Sequence, residues 1–198
     1  MTPLRKTFIE DDLVTRSIAG DRRSREELAS ACLPFVWRAV TLHCGGGQEV
    51  EDLVQAAMAQ AFADLPRFRA EGAFASWLHR VTLNVVRQHF RRKAWRALLP
   101  VGDDLDALED RRATAPEERI AGERLLRLLA HHLAGIKEKN RTACVLSITG
   151  GYSASEIALI VGCSAESAKK RLQRGREELL ARVAKDPRCR DLVEELGR

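Results

Sequence analysis

Apolar residues along this chain of 198 residues recur at intervals of three and four, not two. Val50, Leu53, Val54, Ala57, Met58, Ala61, Phe62 and Leu65 fall on one face at that spacing, and Phe74, Trp77, Leu78, Val81 and Val85 do the same. Upstream, the pattern predicts helices over Asp11 to Ala19 and Ser24 to His43. Pro34 lies inside the second and predicts a kink or a break, because its ring removes one backbone hydrogen bond. Gly45, Gly46 and Gly47 close that pair with a flexible turn. Farther on, Arg119 to Leu133 and Glu138 to Ile148 read as helices, and Gly150 with Gly151 stops the chain. Ser153 and Glu156 have the spacing of a capping box and open a short helix through Val161, while Ser164 caps a longer one running to about Val183. No strand signal interrupts this, since Val and Ile sit on helical stripes. The expected fold is all-α.

The segment Pro100 to Glu118 breaks the periodicity, with Pro near both ends and five acidic residues before Arg111. It reads as a flexible acidic linker. The expected organisation is therefore two small helical domains, residues 1–99 and 119–198, joined by residues 100–118.

Charge sharpens that division. The net charge of +5 resolves into +4 over residues 1–99, −4 over 100–120 and +5 over 121–198. Within the two basic parts, Arg87, Arg91, Arg92, Lys93 and Arg96 follow one another without an intervening acid, as do Lys169, Lys170, Arg171, Arg174 and Arg176. One such run is ordinarily a solvated helix face. Two, in separate modules, suggest contact with one long polyanion.

Other classes are disfavoured. The longest stretch without a charged residue, Thr142 to Ser155, spans 14 residues and contains two glycines, short of the roughly 18 apolar residues of a membrane span. The opening MTPLRKTFIEDD meets acidic residues before any apolar run, unlike a secretory signal, so a cytoplasmic protein without membrane insertion is expected. Cys32, Cys44, Cys144, Cys163 and Cys189 are odd in number and form no CxxC pair, which fits neither a disulfide framework nor a zinc site and leaves incidental thiols. His43 with Cys44 and His131 with His132 are adjacent pairs that do not share a helix face. With no catalytic arrangement, phosphate loop or metal spacing, neither an enzyme, a metal nor a cofactor is expected.

The segment Ser153 to Arg176 has the parts of a helix-turn-helix. Ala158 is small where two helices cross, Gly162 stands where the turn needs positive φ, and Ile157, Ile160, Val161, Ala168 and Leu172 supply packing. The second helix then presents Ser164, Glu166 and Ser167 in its opening turn, followed by Lys169, Lys170, Arg171 and Arg174. Those side chains suit base edges and phosphates.

At larger scale, Val50 to Lys93 resembles region two of the extracytoplasmic-function sigma factors, in its Glu-Asp-Leu-Val-Gln start, its Arg-Phe-Arg loop, its Trp-Leu-x-Arg and its Asn before a basic end. The chain from Gly151 onward is similar to region four of the same family, with its Ser-x-x-Glu-Ile-Ala opening and Lys-x-Arg-Leu-x-Arg helix. The likeness covers roughly residues 10 to 185 in the family's order, so region two is assigned to residues 1–99 and region four to 119–198. Ile136 and Lys137 replace a usual Leu-Pro pair, Ala168 a usual Val, and Lys170 a common Ser.

The resemblance implies a subunit that binds the beta and beta-prime subunits of core RNA polymerase, reads a minus-thirty-five promoter element through region four and melts a minus-ten element through region two. It also implies control by an anti-sigma factor. By position, Asp52 and Gln55 match the family's polymerase contact, although Asp52 also suits an ordinary helix start. Phe68, Arg69, Glu71, Ala73 and Phe74 match the loop that captures an unstacked base. Trp77, Arg80 and Asn84 follow on successive turns; Trp77 fits the apolar core better than a base platform, and Asn84 offers both donor and acceptor to a base. Arg87, Arg91 and Arg92 would track phosphates. Two other readings compete: a helical adaptor that binds protein rather than promoter, and a helix-turn-helix repressor, which would need a dimerisation element that is not apparent.

Overall fold

A computed structural model describes residues 9–47, 49–69, 73–97 and 117–189. Among these every regular element is helical, as the periodicity predicts. Helix α1 (Asp11–Ile18) leads into α2 (Arg22–Cys44), α3 (Glu49–Asp64), a single 3-10 turn (Leu65–Arg67) and α4 (Phe74–Ala97). The second series is α5 (Glu117–Ala134), α6 (Glu138–Gly150), α7 (Ala154–Val161) and α8 (Ala165–Val183). Most of the expected acidic linker lies outside the described residues.

Two differences from the sequence pattern have plain causes. Helix α2 begins at Arg22, not Ser24, because the Asp21 carboxylate accepts the Ser24 backbone N–H at 2.9 Å and so caps the helix two residues earlier. Pro34 does not break α2, which continues for 23 residues. Its missing donor would have served the Ser30 carbonyl, and both residues are exposed, where water can take over that bond.

The apolar stripes converge on two cores. In the first, Leu28 and Val36 of α2, Leu53 and Ala57 of α3, and Leu78 of α4 are buried together. In the second, Leu133 of α5, Leu146 of α6, Ile157 of α7 and Leu172 of α8 are buried, and so is Leu42 near the end of α2. One helix therefore contributes to both modules. They also meet where His79 of α4 faces Thr149 of α6 and the ring of Tyr152, whose centroid lies 5.7 Å from that of His79. The Arg87 guanidinium lies 3.8 Å from the Glu138 carboxylate across the same junction.

Helix α8 lies so close to α6 that a side chain on Gly175 has no room. A Cβ there would stand 2.5 Å from Cys144 Sγ and 2.9 Å from the Asn140 carbonyl oxygen. Asn140 Nδ2 donates to Glu178 at 3.0 Å and Arg176 donates to Ser147 Oγ at 3.0 Å, one on each side of that approach.

Candidate nucleic-acid interface

The helix-turn-helix is built by local chemistry. The Ser153 side chain accepts the Glu156 N–H while the Glu156 carboxylate accepts the Ser153 N–H at 2.9 Å, a complete capping box at the start of α7. Gly162 ends that helix at φ 69°, a left-handed conformation that favours glycine, and its N–H returns to the Ala158 carbonyl. Ser164 caps α8 by accepting the Ser167 N–H at 3.2 Å. Buried Ala168 and Leu172 then fix the face that α8 turns inward. Lys169, Lys170 and Arg174 are consequently exposed, with Arg171 and Ser167 half-buried beside them.

An open groove of about 450 Å³ lies between the start of α6 and the start of α8. Lys170, Arg171 and Arg174 of α8 line it with Ser164, Glu166 and Ser167, and Lys137, Lys139 and Asn140 form the opposite wall. Five cations face one acid there, and Glu166 is already paired with Lys170 at 2.7 Å. Two helix N-termini line the same space, adding the positive ends of both dipoles. The groove is suited to a phosphate backbone. The sequence pattern does not single out Lys137 and Lys139 as binding residues; their signal is the basic pair flanking Glu138.

In the first module, Arg80, Asn84, Arg87 and Arg91 follow at steps of four, three and four, so α4 carries them as one stripe. Arg80, Asn84, Arg91 and Arg92 are exposed. The rest of the basic run is less available: Arg87 approaches Glu138, and Lys93 pairs with Glu49 of α3, as His89 does at 3.0 Å. Lys93 first and His89 second hold the Glu49 carboxyl below its usual range, so α3 and α4 are clamped there. The side chain of Arg96 lies outside the described residues.

Phe68, Phe74 and Trp77 form a compact aromatic cluster. Phe68 stands edge-on to Phe74 with centroids 5.4 Å apart, and Trp77 is 5.3 Å from each. Phe74 is only 5% exposed, which assigns it to supporting the loop and removes it as a free stacking face in this arrangement. Trp77 packs against the same core, half-buried. Phe68 is half-buried and Arg69 and Ala73 exposed at the edge of the loop, and Glu71 falls outside the described residues. Asp52 and Gln55 are exposed one turn apart on α3, well away from the apolar stripe of that helix.

Among the described residues, no single helix is long and apolar enough to cross a membrane. All five cysteines are free; burial pushes the Cys32 and Cys44 thiols up to about 12 and Cys144 to about 11, which keeps them protonated at neutral pH.

A two-module helical protein with a capped helix-turn-helix and a basic groove has the architecture of a DNA-binding transcription factor. Family comparison is more specific: residues 28–96 match the model of sigma-70 region 2 and residues 126–179 that of sigma-70 region 4. The ECF RNA polymerase sigma-E factor of Escherichia coli K12 is 28% identical over 176 residues, covering 84% of this chain and 90% of the relative. The RNA polymerase sigma-H factor of Pseudomonas aeruginosa is 25% identical over 178 residues, covering 86% and 91%. Among solved structures, the complex of CnrH with the cytosolic domain of CnrY aligns with a TM-score of 0.64 at 23% identity, covering 88% of this chain and 97% of that one. The sigma factor RpoE from Bartonella quintana, in complex with the anti-sigma factor NepR, aligns at 0.57 with 20% identity, covering 81% and 99%. The chain belongs to the extracytoplasmic-function sigma factors, a family of non-catalytic transcription factors.

Proposed function

We propose that this protein brings core RNA polymerase to particular promoters, with α8 reading an upstream element and the loop before α4, with Asn84, engaging an unpaired downstream base. The observation that carries the reading is the groove where five cations and two helix N-termini converge beside the exposed face of α8. The exposed stripe of Arg80, Asn84 and Arg91 supports a second contact with the same DNA. Phosphate contacts from the cations set affinity and its salt dependence; Asn84 and the opening turn of α8 set sequence choice.

Asp52 and Gln55 are the residues proposed to hold the polymerase, through its beta and beta-prime subunits, since both are exposed and neither serves the core. An anti-sigma factor is the proposed regulator, in keeping with the structural relative bound to NepR. Run-off transcription with core polymerase on a library of promoters tests the whole reading. Transcripts from a subset of promoters, absent with core alone, are expected. No transcript at any promoter would leave the protein-binding adaptor as the better account.

A further inference from the structure

His132 of α5, Asp186 and Cys189 bring three different donor atoms together from segments more than fifty residues apart in sequence. His132 Nε2 lies 3.0 Å from Asp186 Oδ2 and 3.3 Å from Cys189 Sγ, and all three donors fall within 4.8 Å of one another. The imidazole is buried and the carboxylate nearly so, with side-chain exposures of 8% and 10%, while Cys189 is half-buried.

Hydrogen bonding satisfies the His132–Asp186 pair but leaves Cys189 Sγ with at most a share of the same N–H. A ring nitrogen carries either a proton or a lone pair. If Nε2 donates to Asp186, it has no lone pair for the Cys189 thiol; if it accepts from the thiol, its lone pair faces a carboxylate oxygen at 3.0 Å. A cation placed among the three atoms gives each lone pair a partner. Imidazole, thiolate and carboxylate are together the donors of a zinc-class ion, and ligands at about 2.0 to 2.3 Å in a tetrahedron stand roughly 3.3 to 3.6 Å apart. The two separations from His132 Nε2 need widen by only a few tenths of an ångström.

The surroundings favour such a site. The Cys189 N–H donates to the Asp186 carbonyl at 3.1 Å, holding the Asp-x-x-Cys segment as one turn with both ligands on the same side. Arg188 Nε donates to Asp186 Oδ1 at 3.0 Å and to Oδ2 at 3.2 Å, and Nη2 to Oδ2 at 2.8 Å; an ion on Oδ2 displaces the guanidinium from that oxygen and leaves it Oδ1, from which it orients the carboxylate. Arg182 donates to the Gly135 carbonyl at 2.7 Å and already draws the end of α8 toward α5 nearby.

We infer that His132, Asp186 and Cys189 form a three-ligand site for a zinc-class divalent cation, with the fourth position open to water, that ties α5 to the chain leaving α8. Binding replaces the thiol proton of Cys189, which passes to solvent. Odd-numbered, unpaired cysteines argue against zinc in the sequence because the site uses one cysteine and draws its histidine from 57 residues away.

The test uses the full chain freed of metal by chelation, titrated with cobalt(II) as a spectroscopic probe and with zinc by equilibrium dialysis. One equivalent should bind, with a thiolate-to-cobalt charge-transfer band and a zinc-dependent rise in melting temperature. Cys189→Ser should abolish the band and weaken zinc by more than about tenfold, the low end for loss of even an outer-shell partner. Asp186→Asn should weaken zinc while retaining the band, and Cys163→Ser should behave as the parent. Because His132→Gln alters a buried position, the decisive variant is Cys189→Ser, whose helical content should equal that of the parent. A parent protein without the band, a band that survives Cys189→Ser, or only weak binding indifferent to that change would overturn the site.

Discussion

His79 Nε2 lies 3.3 Å from Thr149 Oγ1, and both residues are completely buried where α4 meets α6. The Thr149 hydroxyl donates to the Val145 carbonyl at 2.7 Å, so its oxygen is the acceptor for His79 and the ring must carry its proton on Nε2. Nδ1 then has no hydrogen-bond partner among the described residues. Burial brings the His79 pKa down to about 3, and burial followed by His79, Arg141 and Arg87 holds that of His43 well below its ordinary 6.5.

Acid should therefore weaken the structure. Above pH 6.5 neither the folded nor the unfolded chain protonates these rings; below it the unfolded chain takes up protons that the buried rings refuse. Stability should fall as pH drops from about 6.5 toward 3, by up to about 1.4 kcal/mol per pH unit for each histidine. His79→Gln, which keeps a donor for Thr149, should reduce that slope. Melting curves between pH 4 and 8 check it, and an equal slope in the variant would remove His79 from the account.

On the groove, Lys137→Ala and Arg174→Ala should each weaken DNA binding and lower the salt slope by about one, the signature of a lost phosphate contact. Fluorescence anisotropy over a range of salt concentrations measures both. An unchanged slope in Lys137→Ala would confine the interface to α8.

Asp52→Ala should lower affinity for core polymerase without changing helical content, because the side chain is exposed and absent from the core. Co-sedimentation with core enzyme, beside circular dichroism, distinguishes a contact from a helix-start role. Loss of helix with normal binding would favour the latter.

Asn84→Ala should blur the choice at one downstream base by about 1 to 3 kcal/mol, whereas Arg91→Ala should weaken all sequences alike. Permanganate footprints on promoters varied one base at a time resolve the two. If Asn84→Ala opens every variant with the parental preferences, the base contact lies elsewhere.

Gly175→Ala tests packing rather than contact with DNA. Its Cβ would meet Cys144 Sγ and the Asn140 carbonyl, and backbone cannot yield as a flexible side chain can. A loss of about 1 to 3 kcal/mol is expected in chemical denaturation. A stability equal to the parent would mean that α6 and α8 separate at small cost.

How far these features can be read from sequence depends on how local their causes are. The Ser153–Glu156 capping box, the left-handed Gly162 and the inward Ala168 and Leu172 all act within a turn or two, and each is legible. The effect of Pro34 is not, because it turns on which face of α2 is exposed, something set by packing. Lys137 and Lys139 become groove residues only when α6 lies against α8. His79 with Thr149, and His132 with Asp186 and Cys189, join residues 54 to 70 positions apart whose proximity no spacing encodes.

Leu42 belongs to the second core although α2 otherwise builds the first. During synthesis the first module is complete once α4 ends at Ala97, while this leucine still lacks α5 and α6, which follow over the next 20 to 53 residues; at ribosomal speeds that is an interval of roughly 1 to 10 s. Throughout it the nascent chain displays an uncovered apolar spot on an otherwise finished bundle. Any protein that captures the chain before its second half arrives meets a surface that the completed molecule hides.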